Sequence, residues 1–305
     1  MIPLSSLKAG AVFAALVLVC FLPASLARAQ DEARPESSKA VPERVVSINV
    51  CTDQLAMLIG APGQLKSVSQ FSRDPEMSAM TRQAQDYPLN HSQAEEVFLM
   101  RPDLVLASAY TSRTTVTLLR RLGFQVEEFQ PATSFDDIRA NIRRMGALLG
   151  RKARADELVA QIDADLAHTA GKPSGKRAAL VFANSFTAGS GTLTQAIVEA
   201  AGLSNVAAEN GIVGSARMPL ESLIMANPDL VVSGVQGYRA PARASEIFLH
   251  PAYRELARRK GLVSIPSRYW ACGGPFTSQA VRILRAGAEA PKTLAGRVGP
   301  RPELP

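Results

Sequence analysis

One twelve-residue pattern occurs twice. Ala94-Glu95-Glu96-Val97-Phe98-Leu99-Met100-Arg101-Pro102-Asp103-Leu104-Val105 is followed 126 residues later by Leu220-Glu221-Ser222-Leu223-Ile224-Met225-Ala226-Asn227-Pro228-Asp229-Leu230-Val231. Each copy reads as a short surface helix opened by a glutamate, stopped by proline, and feeding a buried strand. The Pro-Asp pairs are turn chemistry. The glutamates, Glu95 and Glu221, stand at the same offset in both copies. A carboxylate is favoured at a helix start by the backbone dipole, so a structural and a functional role both remain open for them. A duplicated helix–strand unit this far apart means two related lobes.

The segments around the repeat agree. Strands are predicted at Arg44–Asn49, Leu65–Ser69, Leu104–Ala107 and Gln125–Phe129, spaced by helices at Thr52–Ile59, Ala94–Met100 and Thr114–Leu122. Strands alternating with helices imply βα units and a mainly parallel sheet, here an N-terminal lobe over 44–133. Ser134 is an N-cap, and Ile138, Ile142, Met145, Leu149, Leu158, Ile162 and Leu166 recur at helical spacing. This predicts a bridging helix over 134–170, with Gly146 and Gly150 leaving open one bent helix or two. A breaker cluster, Gly171-Lys172-Pro173-Ser174-Gly175, ends it, and the C-terminal lobe takes 176–290, opening with a strand at Arg177–Asn184. The fold class is α/β: two related lobes with mainly parallel sheets on a long bridging helix, with a ligand cleft between the lobes.

The ends of the chain read differently. Lys8, the apolar run Ala9–Leu22 and Ala27-Arg28-Ala29 form an export signal over residues 1–29. The apolar run falls short of the roughly 20 residues needed to span a bilayer. Residues 30–43 and 291–305 are polar and proline-bearing, and read as a disordered lead-in and tail. Losing Lys8 and Arg28 lowers the formal charge from +7 to +5, which gives no warrant for nucleic-acid binding. Cys20 leaves with the signal, so Cys51 and Cys272 remain, in an oxidising compartment. Two cysteines allow one bridge, two separate buried thiols or a soft pair of ligand contacts.

Two facing lobes enclose a ligand beyond the carboxyl ends of their strands. The loops there carry Phe71, Arg73, Tyr110, Asn184, Phe186, Tyr238 and Trp270, besides the two cysteines. Aromatics in such loops offer large apolar faces with a polar handle, as a bulky planar ligand requires. Arg73 and Arg239 would suit an anionic ferric chelate, though an exposed arginine is more often solvated. Asp53 follows the first strand, where an acid can be catalytic or cap a helix. The three histidines, His91, His168 and His250, are scattered, so no metal site is expected. The phosphate-binding GxxxxGK[ST], a complete GxGxxG and the nucleophile elbow GxSxG are all absent, which argues against an enzyme.

RVVSINVCTDQLAMLIG, VSQFSRDP, the two glutamate–PDLV blocks, GTLTQAIVEAAGLSN and YWACGGPFT together resemble the periplasmic substrate-binding proteins of ABC importers for cobalamin and ferric siderophores, over Val45 to Ala288. The resemblance implies capture of a bulky metal chelate or corrinoid in the periplasm and delivery to an inner-membrane importer, by a monomer with no resident cofactor and no chemistry. The bound solute would be cobalamin, a ferric siderophore or haem. It further implies that Glu95 and Glu221 dock into basic pockets on a dimer of permease subunits, and that Phe71 lies in the cleft. A haem carrier, kept open by Tyr110 and Tyr238, and a two-lobed α/β enzyme are the alternatives.

Overall fold

The structure, a computed structural model, describes residues 40–169, 173–234 and 243–290. The signal assigned to residues 1–29, residues 30–39, the tail 291–305 and the cleft candidates Tyr238 and Arg239 lie outside the described residues.

The first lobe runs β1 (Val45–Ser47), α1 (Val50–Ile59), β2 (Leu65–Ser69), β3 (Leu89–Asn90), α2 (Ala94–Met100), β4 (Leu104–Ser108), α3 (Arg113–Arg121) and β5 (Val126–Phe129). Its five strands are parallel, in the order β3-β2-β1-β4-β5. After α4 (Phe135–Leu148) and α5 (Lys152–Thr169) the second lobe follows. It holds β6 (Arg177–Val181), β7 (Phe186–Ala188), α6 (Leu193–Ala200), β8 (Ser204–Asn205), α7 (Val206–Glu209) and β9 (Ser215–Arg217). It closes with α8 (Leu220–Met225), β10 (Leu230–Gly234), α9 (Glu246–Leu249), α10 (Pro251–Lys260), β11 (Leu262–Ile265) and α11 (Thr277–Glu289). Its parallel sheet is ordered β11-β10-β6-β8, and β7 and β9 pair antiparallel beside it.

The repeat maps onto this topology. In each lobe the opening strand, β1 or β6, is central and pairs with the strand that ends the repeat, β4 or β10. Each sheet buries both faces, as parallel strands must. Along β1 and β4, Val45, Leu104 and Leu106 point to one side and Val46, Val105 and Ala107 to the other. In the second sheet Ala178, Leu180, Leu230 and Val232 alternate likewise with Ala179, Val181 and Val231. The outer layers are closed by α2 and α3 in one lobe and by α8 and α10 in the other. The inner layers of both lobes merge in one apolar cluster built on α4 and α5, with Ile138, Ile142, Met145, Leu158 and Ile162 at its centre.

Two segment bounds are sharpened. Of the two readings open for the bridging segment, one bent helix or two, residues 134–169 take the second and form a helical hairpin. Ser134 does cap α4, in a reciprocal pairing with Asp137. The chain then reverses at Gly150, whose φ of +68° suits glycine. Gly146 lets the helices touch: a Cβ there would lie 2.4 Å from that of Ala155. Arg139 joins Asp136 on its own helix to Asp163 on the next. Only α5 crosses between lobes, with Arg154 bonding Leu58 O in the first and Asp165 accepting from Ser278 in the second. The disordered lead-in, for its part, ends before residue 43. Val41 packs over Gly150, Pro42 O accepts from Gln64, and the Glu43 amide donates to Asp103.

Candidate functional site

The carboxyl ends of the two sheets face each other across a covalent tie. Cys51, in the first turn of α1 just beyond β1, is joined by a disulfide to Cys272, in the loop that precedes α11; their Cα atoms are 5.2 Å apart. The next residue, Gly273, lies so close to the first lobe that a Cβ would stand 2.4 Å from that of Ala132. Farther out, the Arg268 guanidinium donates to Pro75 O across the lobes at 2.9 Å. Nothing in the sequence singled out Arg268, because its partner is a backbone carbonyl nearly two hundred residues away.

Phe71 sits on this rim, in a turn over Gln70–Arg73 at the end of β2, and about half its surface is open. The turn is pinned from beneath by Asp53. One carboxylate oxygen of this fully buried residue accepts from the Ser69 amide (3.1 Å), the Ser69 hydroxyl (2.5 Å) and the Ser72 hydroxyl (2.6 Å). Its other oxygen makes no hydrogen bond among the described residues. Burial pushes the Asp53 carboxyl up to about 6, against the lowering effect of the Ser47, Ser69 and Ser72 hydroxyls and the Ser69 amide. Asn49, not Asp53, caps α1. Tyr110 stands beyond β4 and is 81% exposed. In the second lobe Asn184 and Ser185 adopt left-handed φ values of +56° and +58° past β6, which presents Phe186, partly exposed, beneath the Arg217 guanidinium at 5.6 Å.

Two cleft candidates are engaged by partners within the chain. The Arg73 guanidinium donates to Ala84 O and Tyr87 O, so it braces its own loop. Trp270 is only 8% exposed; it stacks edge-on against Phe182 at 5.5 Å inside the shared core. Its place in a strand-end loop suggested contact with ligand, but apolar neighbours claim the ring. Among the described residues no group of three or more His, Cys, Asp or Glu is arranged to hold a metal ion.

Glu95 and Glu221 each occupy the second position of their helices, α2 and α8, and both are exposed. The neighbouring Glu96 is engaged differently. It accepts from the His91 amide and lies 2.8 Å from His91 Nδ1, which holds its carboxyl below the usual range. Glu221 also lines a depression of about 350 Å³ with Asn184, Arg217 and Arg243, so in the second lobe the glutamate helix adjoins the cleft edge.

Residues 45–264 match the family described as periplasmic binding protein. The chain belongs to that family. A cobalamin-binding protein of Halobacterium salinarum is 33% identical over 216 residues, which are 68% of this chain and 58% of that one. The chain thus spans little more than half the length of that relative. YvrC of Bacillus subtilis, an uncharacterised ABC transporter substrate-binding lipoprotein, is 25% identical over 216 residues, 67% of each chain. Among solved structures, the periplasmic heme-binding protein RhuT of Roseiflexus sp. RS-1 in apo form superposes with a TM-score of 0.67 at 21% identity, covering 81% of this family member and 99% of its own chain. At that identity the likeness is one of fold. No helix among the described residues is long and apolar enough to cross a membrane.

Proposed function

We propose that the protein is a periplasmic carrier for a corrinoid-type metal chelate, exported by the signal at residues 1–29 and delivering its solute to an ABC importer. The observation that carries this reading is the cleft itself: exposed aromatics Phe71, Tyr110 and Phe186 at the strand ends of two lobes that a disulfide holds face to face. Such rings supply broad apolar area at low entropic cost, which suits a wide, flat ligand. The cobalamin-binding relative favours a corrinoid over a siderophore. Glu95 and Glu221 are the docking carboxylates, one per lobe, since two related acids can meet two copies of one basic pocket and fix orientation.

Calorimetric titration with cyanocobalamin, haemin and a ferric hydroxamate tests the ligand. Cyanocobalamin is expected to bind tightest, and Phe71→Ala combined with Phe186→Ala to weaken it by about tenfold or more. Failure of all three ligands to bind sinks the carrier reading, and tightest binding of haemin replaces the corrinoid with haem. Glu95→Ala with Glu221→Ala is expected to abolish stimulation of the importer's ATPase with ligand affinity intact.

A further inference from the structure

We propose that Phe98 with Leu99, and Ile224 with Met225, form the apolar half of two equivalent docking pads for the paired membrane subunits of the importer. The proposal rests on the carrier reading above and extends it from two charges to two surfaces.

Residues three and four positions apart on a helix are neighbours on one face. Glu95 is therefore flanked by Phe98 and Leu99, and Glu221 by Ile224 and Met225, at matching offsets in the repeat. Leu99 is 79% exposed and Met225 84%, while Phe98 and Ile224 are each more than a third exposed. The inward face is equally matched, because Val97 and Leu223 are buried. A single exposed leucine is ordinary. Phe98 is anchored at one edge by Phe124, with ring centroids 6.0 Å apart, but Leu99 and Met225 stand open at equivalent places on both lobes, each beside a carboxylate with no ion pair among the described residues.

Both pads are held the same way. The Arg44 guanidinium donates to Met100 O and Arg101 O at the end of α2, and that of Arg177 to Ala226 O at the end of α8. Asp103 accepts from the Arg44 amide and Asp229 from the Arg177 amide. Arg101 and Asn227 make the same left-handed turn, with φ of +46° and +48°. Each pad is thus fixed to the central strand of its own sheet, so the lobes present matching surfaces of constant shape. The occupant that fits is a two-fold pair of subunits, each offering a cationic side chain set in an apolar shelf. Apolar burial around the ion pair excludes water and strengthens it, while the carboxylates steer the approach.

The test is affinity for the cognate importer in lipid nanodiscs at about 0.05 M and about 0.3 M salt. Leu99→Ser with Met225→Ser is expected to weaken binding about tenfold or more at both concentrations with the salt dependence unchanged. Leu99→Met with Met225→Leu should keep wild-type affinity. Glu95→Gln with Glu221→Gln should flatten the salt dependence. Wild-type affinity in the serine variant overturns the apolar pads while the glutamine result upholds the docking glutamates; if neither variant weakens binding, the docking reading falls as well. Binding of the wild type to empty nanodiscs, or self-association that the serine variant loses, assigns the surface to lipid or to a second copy and overturns the proposal. Cyanocobalamin affinity and melting temperature, unchanged in the serine variant, confirm that only docking was touched.

Discussion

Asp53 holds a buried carboxylate with hydrogen bonds on one oxygen and none on the other. Its carboxyl, pushed by burial from an ordinary 3.8 to about 6, keeps its proton more tightly in the folded chain than in the unfolded one. The stabilisation this gives is complete in acid and is lost as pH rises from about 4 through about 6. A shift of about two units corresponds to roughly 3 kcal/mol. Asp53→Asn carries no such titration, so its stability relative to wild type should rise by roughly 2–3 kcal/mol between pH 4 and pH 7, read by urea unfolding. A pH-independent difference would show that the carboxyl titrates normally. From sequence, Asp53 was an acid beside a strand end, readable as catalyst or cap. It caps no helix, and the hydroxyls that claim it, Ser69 and Ser72, arrive from another strand end. Arg73 and Trp270 show the same limit: their position at strand ends was legible, but the direction of each side chain was set by partners distant in sequence.

At the level of elements, the hairpin of α4 and α5 depends on Gly146. A valine there must displace Ala155 or part the helices, so Gly146→Val is expected to cost roughly 2–3 kcal/mol in urea unfolding. Gly123→Ala, at an open turn with φ of +86°, would carry only the milder penalty of a left-handed backbone. Sequence periodicity located both helices, because Ile138 to Leu166 all face one core. It missed the reversal, because period records which face is buried and not which way the chain then travels. The Pro-Asp pairs fared similarly. Proline does end each helix, but Asp103 also clamps Arg44, just before β1, and Asp229 clamps Arg177, the first residue of β6; Asp103→Ala should cost about 1 kcal/mol by the same measurement.

Across the whole molecule, a bond between residues 221 positions apart joins lobes that already share one apolar core. On the chain-entropy account, closing so long a loop contributes about 5 kcal/mol, and engineered removals more often show 2–4. Cys51→Ala with Cys272→Ala is therefore expected to lose roughly 2–5 kcal/mol in urea, and added reductant should bring the wild type to the same curve. Mass spectrometry after alkylation without reduction should find neither thiol labelled; two labelled thiols exclude the bridge. The bridge bears on the cleft because it joins the first turn of α1 to the loop before α11, which limits how far the lobes can part.

The sequence by itself determined the two lobes, their parallel sheets, the helical segments between them and the paired glutamates. These are properties of local pattern: alternation, helical period, breakers and a repeat, each readable within a dozen residues. Only the tertiary structure decided that Cys51 meets Cys272, that Arg73 braces its own loop and Trp270 joins the shared core, that Arg268 reaches Pro75, and that the helices bearing Glu95 and Glu221 also leave Leu99 and Met225 uncovered. Those outcomes depend on which distant groups come within a few ångströms, and burial and hydrogen bonding at such contacts are set by the packed chain as a whole.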